Sequence, residues 1–154
     1  MKTAYNQALD ALSRRSRSTV ELSRWLKERD WPPDDIADVI ERLTSCGLLD
    51  DVKYAAQFAR NRILDRKLSK RRVLGELGRR GVAKETANAA VAELIEEEGV
   101  DEEAAVEAIA VRKARSLAKL DRETAYRRLL GFLARRGYDS DVVRRVTKRV
   151  LAGS

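Results

Sequence analysis

An all-α fold, built as three tandem three-helix repeats in an elongated, curved helical array, is what this sequence predicts. Three observations lead there. Apolar residues recur at helical spacing throughout, while the alternation of a half-buried strand is missing. Three segments align without gaps, offset by 51 and 56 residues. A further helix-length stretch precedes each of them, at about 3–14, 51–66 and 102–118. Units of this size cannot bury their apolar faces alone, so they stack into a shared core. The repeats are bounded at 1–50, 51–99 and 100–154.

The aligned segments are LKERDWPPDDIADVIERL (26–43), LGRRGVAKETANAAVAEL (77–94) and LARRGYDSDVVRRVTKRV (133–150). Each opens on leucine and carries an apolar residue at its sixth position: Trp31, Val82 and Tyr138. Beyond the turn, one helix face recurs as Ile36, Val39 and Leu43, then Ala87, Ala90 and Leu94, then Val143, Val146 and Val150. One turn before each leucine stand Leu22, Val73 and Leu129, on the preceding helix.

Local signals set the boundaries. Ser18 and Glu21 form a capping box, each side chain answering an orphan backbone N–H at the start of the second helix. Trp31-Pro32-Pro33 separates it from the third, where proline enters the first turn without losing a bond and Asp34 and Asp35 meet the positive end of the helix dipole. Gly47 lets the third helix stop in a left-handed turn, and Asp50 or Asp51 caps the fourth. On that helix Val52, Ala55, Ala56, Ala59 and Ile63 predict one buried face, with Tyr54 and Phe58 alongside. Cys46 reads as a small buried residue.

Composition excludes much of the usual chemistry. Histidine is absent and there is one cysteine, so the common general base and Cys/His zinc sites are lost. The glycines of GELGRRG (75–81) lack the Lys-Ser/Thr of a phosphate-binding loop. The 25 acids leave a carboxylate pair formally open, but acids on helix faces are ordinarily just solvated. The expectation is a protein that is not an enzyme, with no cofactor and no metal. The single cysteine and the lack of a long apolar run predict a cytoplasmic protein with no membrane contact, and the three aligned units predict a monomer.

Charge is unevenly spread. Residues 1–50 are net −1, 51–90 net +7, 91–111 net −8 and 112–154 net +9. Two basic blocks around an acidic one predict a surface that meets polyanions or a charged protein.

ALDALSRRSRSTVEL (8–22), GLLDDVKYAAQFARNR (47–62) and LSKRRVLGELGRRGV (68–82) resemble, in order and spacing, the signatures of the bacterial RecX regulatory proteins. Where that family often has Gly-Pro before the second repeat's basic helix, this chain has Leu68-Ser69. The resemblance implies a modulator of the RecA recombinase. Such a protein binds in the groove of RecA–single-stranded DNA filaments and inhibits ATP hydrolysis, strand exchange and LexA co-protease activity. It would thereby act on homologous recombination, DNA repair and the SOS response.

Two basic clusters are the expected contact residues. Lys70, Arg71, Arg72, Arg79 and Arg80 belong to the middle repeat. Arg122, Arg127, Arg128, Arg135 and Arg136 occupy the equivalent region of the third, followed by Arg144, Arg145, Lys148 and Arg149 on its last helix. Guanidinium groups suit phosphates and carboxylates alike, so RecA and DNA are both open as their targets. The aromatic residues, Phe132 among them, lie on apolar faces and read as core. A direct DNA-binding protein of helix-turn-helix type is the alternative, with a reading helix near 84–98; that helix carries one lysine against five glutamates, whereas the corresponding helix of the third repeat is basic and escapes this objection. A purely structural scaffold is the third reading.

Overall fold

The structure, a computed structural model, describes residues 2–153. Nine α-helices and one π-helical turn are formed among the described residues, with no strand among them. They are α1 (Ala4–Arg14), α2 (Thr19–Glu28), α3 (Pro33–Ser45), α4 (Asp51–Arg60) continued by the π turn Asn61–Asp65, α5 (Lys70–Arg79), α6 (Lys84–Glu98), α7 (Glu102–Ser116), α8 (Arg122–Arg135) and α9 (Ser140–Ala152). The chain divides into two compact units. The first takes the residues up to Phe58 together with Leu74–Val91; the second takes Ala59–Val73 and everything from Ala92 onward.

In the first unit α1, α2 and α3 close on a core of Ala8, Ala11, Leu22, Leu26, Val39 and Leu43. Small alanines on α1 let it approach the leucines of the other two helices closely. The capping box is formed as the sequence predicts: Glu21 N–H donates to Ser18 Oγ at 3.1 Å, and Ser18 N–H to Glu21 Oε1 at 3.0 Å. Gly47 adopts φ +80°, in the left-handed region that favours glycine.

The two aspartates that follow have different jobs. Asp50 caps α4, its Oδ1 accepting from Val52 N–H at 3.0 Å and Lys53 N–H at 3.3 Å. Asp51 reaches back to α2, where its Oδ1 accepts from the Thr19 N–H at 2.8 Å and the Thr19 hydroxyl at 3.1 Å. One aspartate starts its own helix and the next ties that start to another.

In the second unit α7, α8 and α9 enclose Val106, Ala110, Leu129, Leu133, Val143 and Val146. Asp101, Asp121 and Asp139 cap the three helices in turn through their side-chain oxygens. The residues aligned across the repeats occupy matching places: Leu22, Val73 and Leu129 are all fully buried, as are Leu26, Leu77 and Leu133.

A joint recurs within each unit. In the first, Ser18 Oγ donates to the Arg80 carbonyl at 2.5 Å, and Gly81 lies against Val20 so closely that a Cβ would stand 2.3 Å from the valine Cβ. In the second, Ser69 N–H donates to the Arg136 carbonyl at 3.2 Å, and a Cβ on Gly137 would stand 2.6 Å from Arg72 Cβ. Ser69 lies 51 residues after Ser18, and Gly137 lies 56 after Gly81, the same offsets as the repeats. Both glycines have φ near +90°. The Leu68-Ser69 departure therefore has a role: Ser69 caps α5 by accepting from Arg72 N–H at 3.1 Å.

Two expectations need correcting. On α4 the buried residues are Tyr54, Ala55, Phe58 and Ala59, while Val52 is 67% exposed and Ala56 is also exposed. The two aromatic rings rotate the buried stripe toward themselves, and the wider π turn then brings Ile63 back to the buried side. Cys46 is exposed, not buried. It follows the last core residue of α3, Leu43, by one turn and offers its thiol to the Leu43 carbonyl at 3.5 Å.

Candidate functional site

The predicted basic residues fall into two classes, and local packing decides which. In the middle repeat, Arg80 is half-buried and engaged on every side. Its guanidinium donates to Glu21 Oε2 at 3.1 Å and to the Tyr54 hydroxyl at 3.2 Å, and lies 4.8 Å from the Phe58 ring centre. Burial pushes the Glu21 carboxyl toward a higher pKa. The Ser18 N–H, the Tyr54 hydroxyl and the Arg80 and Arg15 guanidiniums outweigh it and hold Glu21 below its usual value. Arg71 donates to the Gly137 carbonyl at 3.1 Å, and Arg72 to the Arg135 carbonyl. These three arginines hold repeats together, so reversing their charge would disturb the fold as well as any contact with a partner.

The third repeat shows the same division. Arg136 donates to the Arg66 carbonyl at 2.8 Å and lies 4.9 Å from the Phe132 ring centre. Arg145 pairs with Glu103 at 2.7 Å, Arg149 with Glu107 at 3.2 Å and Arg144 with Asp141 at 2.6 Å. The acidic block is thus partly consumed in binding α9 to α7, and Glu98 likewise pairs with Arg60 at 3.2 Å. By contrast Lys70, Arg79, Arg122, Arg127, Arg128, Arg135 and Lys148 are exposed. Their side chains have no ion pair or hydrogen bond among the described residues. These seven cations are free to meet a partner.

The second unit also holds a groove of about 1200 Å³ that sequence reasoning missed. The turn after the π helix contributes Arg66 and Lys67, and α5 contributes Arg72. Arg112, Lys113 and Arg115 enter from α7, and Arg135 and Arg136 from the end of α8. Asp65 is the sole acid on the lining, and its Oδ2 already accepts from the Asn61 amide at 3.3 Å. The floor is apolar, with Ile109, Phe132 and Val111, the last 42% exposed. Lys113 and Arg136 each lie 4.9 Å from the Phe132 ring centre, held there by the negative face of the ring. The signals were present as DRK at 65–67 and RKAR at 112–115, but the second has no basic counterpart at the equivalent positions 5–8 and 56–59.

Among the described residues no group of three or more acids or cysteines is placed to hold a metal ion. No helix of the described residues is long and apolar enough to cross a membrane. The exposed surface of α6, the reading helix of the alternative, presents Glu85, Glu93, Glu96 and Glu97.

Comparison with known proteins converges on one family. Residues 4–43, 50–91 and 101–147 match the models for the first, second and third three-helix domains of RecX, in that order. The regulatory protein RecX of Amycolatopsis mediterranei is 32% identical over 150 residues, covering 97% of this chain and 84% of that protein. The regulatory protein RecX of Mycolicibacterium smegmatis is 34% identical over 152 residues, covering 97% and 80%. The crystal structure of RecX from Lactobacillus salivarius shares the fold, with a TM-score of 0.76 at 19% identity, over 96% of this chain and 94% of that one.

Proposed function

The chain belongs to the RecX family of regulatory proteins, and from that premise we propose that it binds RecA–single-stranded DNA filaments. It thereby inhibits ATP hydrolysis, strand exchange and LexA co-protease activity, and it does so as a non-enzymatic cytoplasmic monomer. The observation that supports this reading most is the match of all three three-helix domains, in order, along the chain. The contacts are assigned to the free cations: Lys70 and Arg79 in the middle repeat, and Arg122, Arg127, Arg128, Arg135 and Lys148 in the third. The arginines engaged in the joints act by holding that surface in place. The repeats 1–50, 51–99 and 100–154 are the functional modules.

A basic protein can also suppress RecA trivially, by coating single-stranded DNA. A filament binder adds protein–protein contacts, so its inhibition sets in well below the concentration that saturates free DNA. The experiment titrates RecA ATPase activity and free single-stranded DNA binding in one buffer. Inhibition preceding saturation supports the proposal, and coincident curves reduce the protein to a DNA coater. Charge reversal of Lys70 and Arg79, which leaves the internal contacts alone, is expected to raise the half-inhibitory concentration severalfold without changing the melting temperature.

A further inference from the structure

We propose that the groove of the second unit takes a single strand of nucleic acid, with phosphates on its arginines and lysines and bases against Phe132, Ile109 and Val111. This assignment rests on the filament-binding reading and specifies which surface of the chain faces the DNA.

Charge is the first argument. Eight cations and one acid line the groove, and the acid is already hydrogen-bonded. Lys67, Arg112, Arg115 and Arg135 have no side-chain hydrogen bond or ion pair among the described residues. A row of unneutralised like charges lowers stability through repulsion, which a polyanion relieves. Six of the eight are arginines, whose planar forks match phosphate oxygens in pairs.

The floor narrows the class of polyanion. A duplex turns its bases inward and offers such a groove little but phosphate, leaving Ile109, Val111 and Phe132 unfilled. An acidic peptide satisfies the cations but brings no flat faces. A single strand brings both, since every base has a π-face for aromatic rings and guanidinium planes. Phe132 further fixes Lys113 and Arg136 over the floor, so two of the cations are ordered before any ligand arrives.

The test uses the full chain without RecA. Fluorescence anisotropy follows an oligothymidine of roughly 15 nucleotides, near the upper site size of single-strand binders. An unlabelled duplex of the same length and a polyglutamate peptide serve as competitors. Arg112→Glu, Arg115→Glu and Arg135→Glu together are expected to weaken single-strand binding by roughly tenfold or more, and to flatten the log–log salt slope by about 2. Phe132→Leu, which keeps the apolar packing, is expected to weaken it by roughly fivefold through lost stacking while sparing duplex binding. If the triple variant unfolds by circular dichroism, Arg112→Gln with Arg115→Gln replaces it, with a smaller loss in the same direction. Single-strand binding within twofold of wild type in the folded charge variant overturns the proposal. So does stronger competition by polyglutamate than by the oligonucleotide. Lost ATPase inhibition with intact DNA binding assigns the groove to a protein contact, which sinks this inference and leaves the filament reading. Groove-dependent DNA binding in a protein that never inhibits RecA supports the groove and sinks the filament reading.

Discussion

Asp50 and Asp51 stand side by side and stabilise different helices. Asp50→Ala removes the cap of α4 and is expected to cost about 1 kcal/mol, within the usual range for a lost N-cap. Asp51→Ala leaves that cap and instead strips Thr19 of its acceptor, a loss of similar size. Denaturant titration of both single variants checks this, and RecA inhibition by the folded variants should match wild type. An unchanged stability with lost inhibition would make the pair a contact site. The sequence showed that a cap was needed here but not which aspartate supplied it, because Thr19 lies 32 residues away. Tyr138 gives a pH-dependent example. It is buried, donates its hydroxyl to the Lys67 carbonyl at 2.7 Å, and faces Glu102; burial first, then that carboxylate, push its pKa from 10.0 up to about 12. The folded state therefore holds a proton that the unfolded chain releases above pH 10. Its contribution is whole below pH 10 and declines as pH rises from 10 to 12. Tyr138→Phe is expected to flatten the fall of stability across that window and to lower stability at neutral pH by about 1 kcal/mol, for the lost hydrogen bond. Melting temperatures measured against pH for both proteins decide it.

Among helices, the joint between repeats is the most sensitive element. Gly81 has φ +85° and no room for a Cβ, because the nearest atom is itself a Cβ, that of Val20. Gly81→Ala is expected to cost about 2 kcal/mol or more, from backbone strain and overpacking together. Val20→Ala cannot rescue it, since alanine keeps the offending atom, and thermal melts of the single and double variants test this. At this scale the sequence was highly legible. Helix starts were written in capping residues, and the aligned leucines marked the core in all three repeats. The rotation of the α4 stripe was not legible, because Val52 and Ala56 fit a helical period as well as Tyr54 and Phe58 do. Only the packing of two large rings broke the tie. The same limit hid the structural role of Arg71, Arg72 and Arg80, whose carbonyl and carboxylate partners lie 59 to 66 residues away.

Across the whole molecule, the net charge of +7 belongs to one unit. The first carries 12 basic and 12 acidic residues, the second 20 and 13. Binding to bare DNA through the second unit alone should fall steeply with salt. Filament inhibition, which adds protein contacts, should fall less, and repeating both titrations at two salt concentrations checks this; curves that shift together with salt would favour coating. Charge summed along the chain predicts a polyanion-facing surface, yet it could not separate the cations locked into joints from those left free. The serine–glycine joint finally supplies a rule for lengthening the array by design. Each of the first two repeats offers a capping serine, Ser18 or Ser69, and each of the last two offers a glycine turn, Gly81 or Gly137. At the serine position of the third repeat stands Ala125, buried inside a helix that starts one turn earlier. The connector is therefore polar, with a plug and a socket. A duplicate of the second repeat spliced after itself can pass the chain on, whereas a duplicate of the third can only receive it.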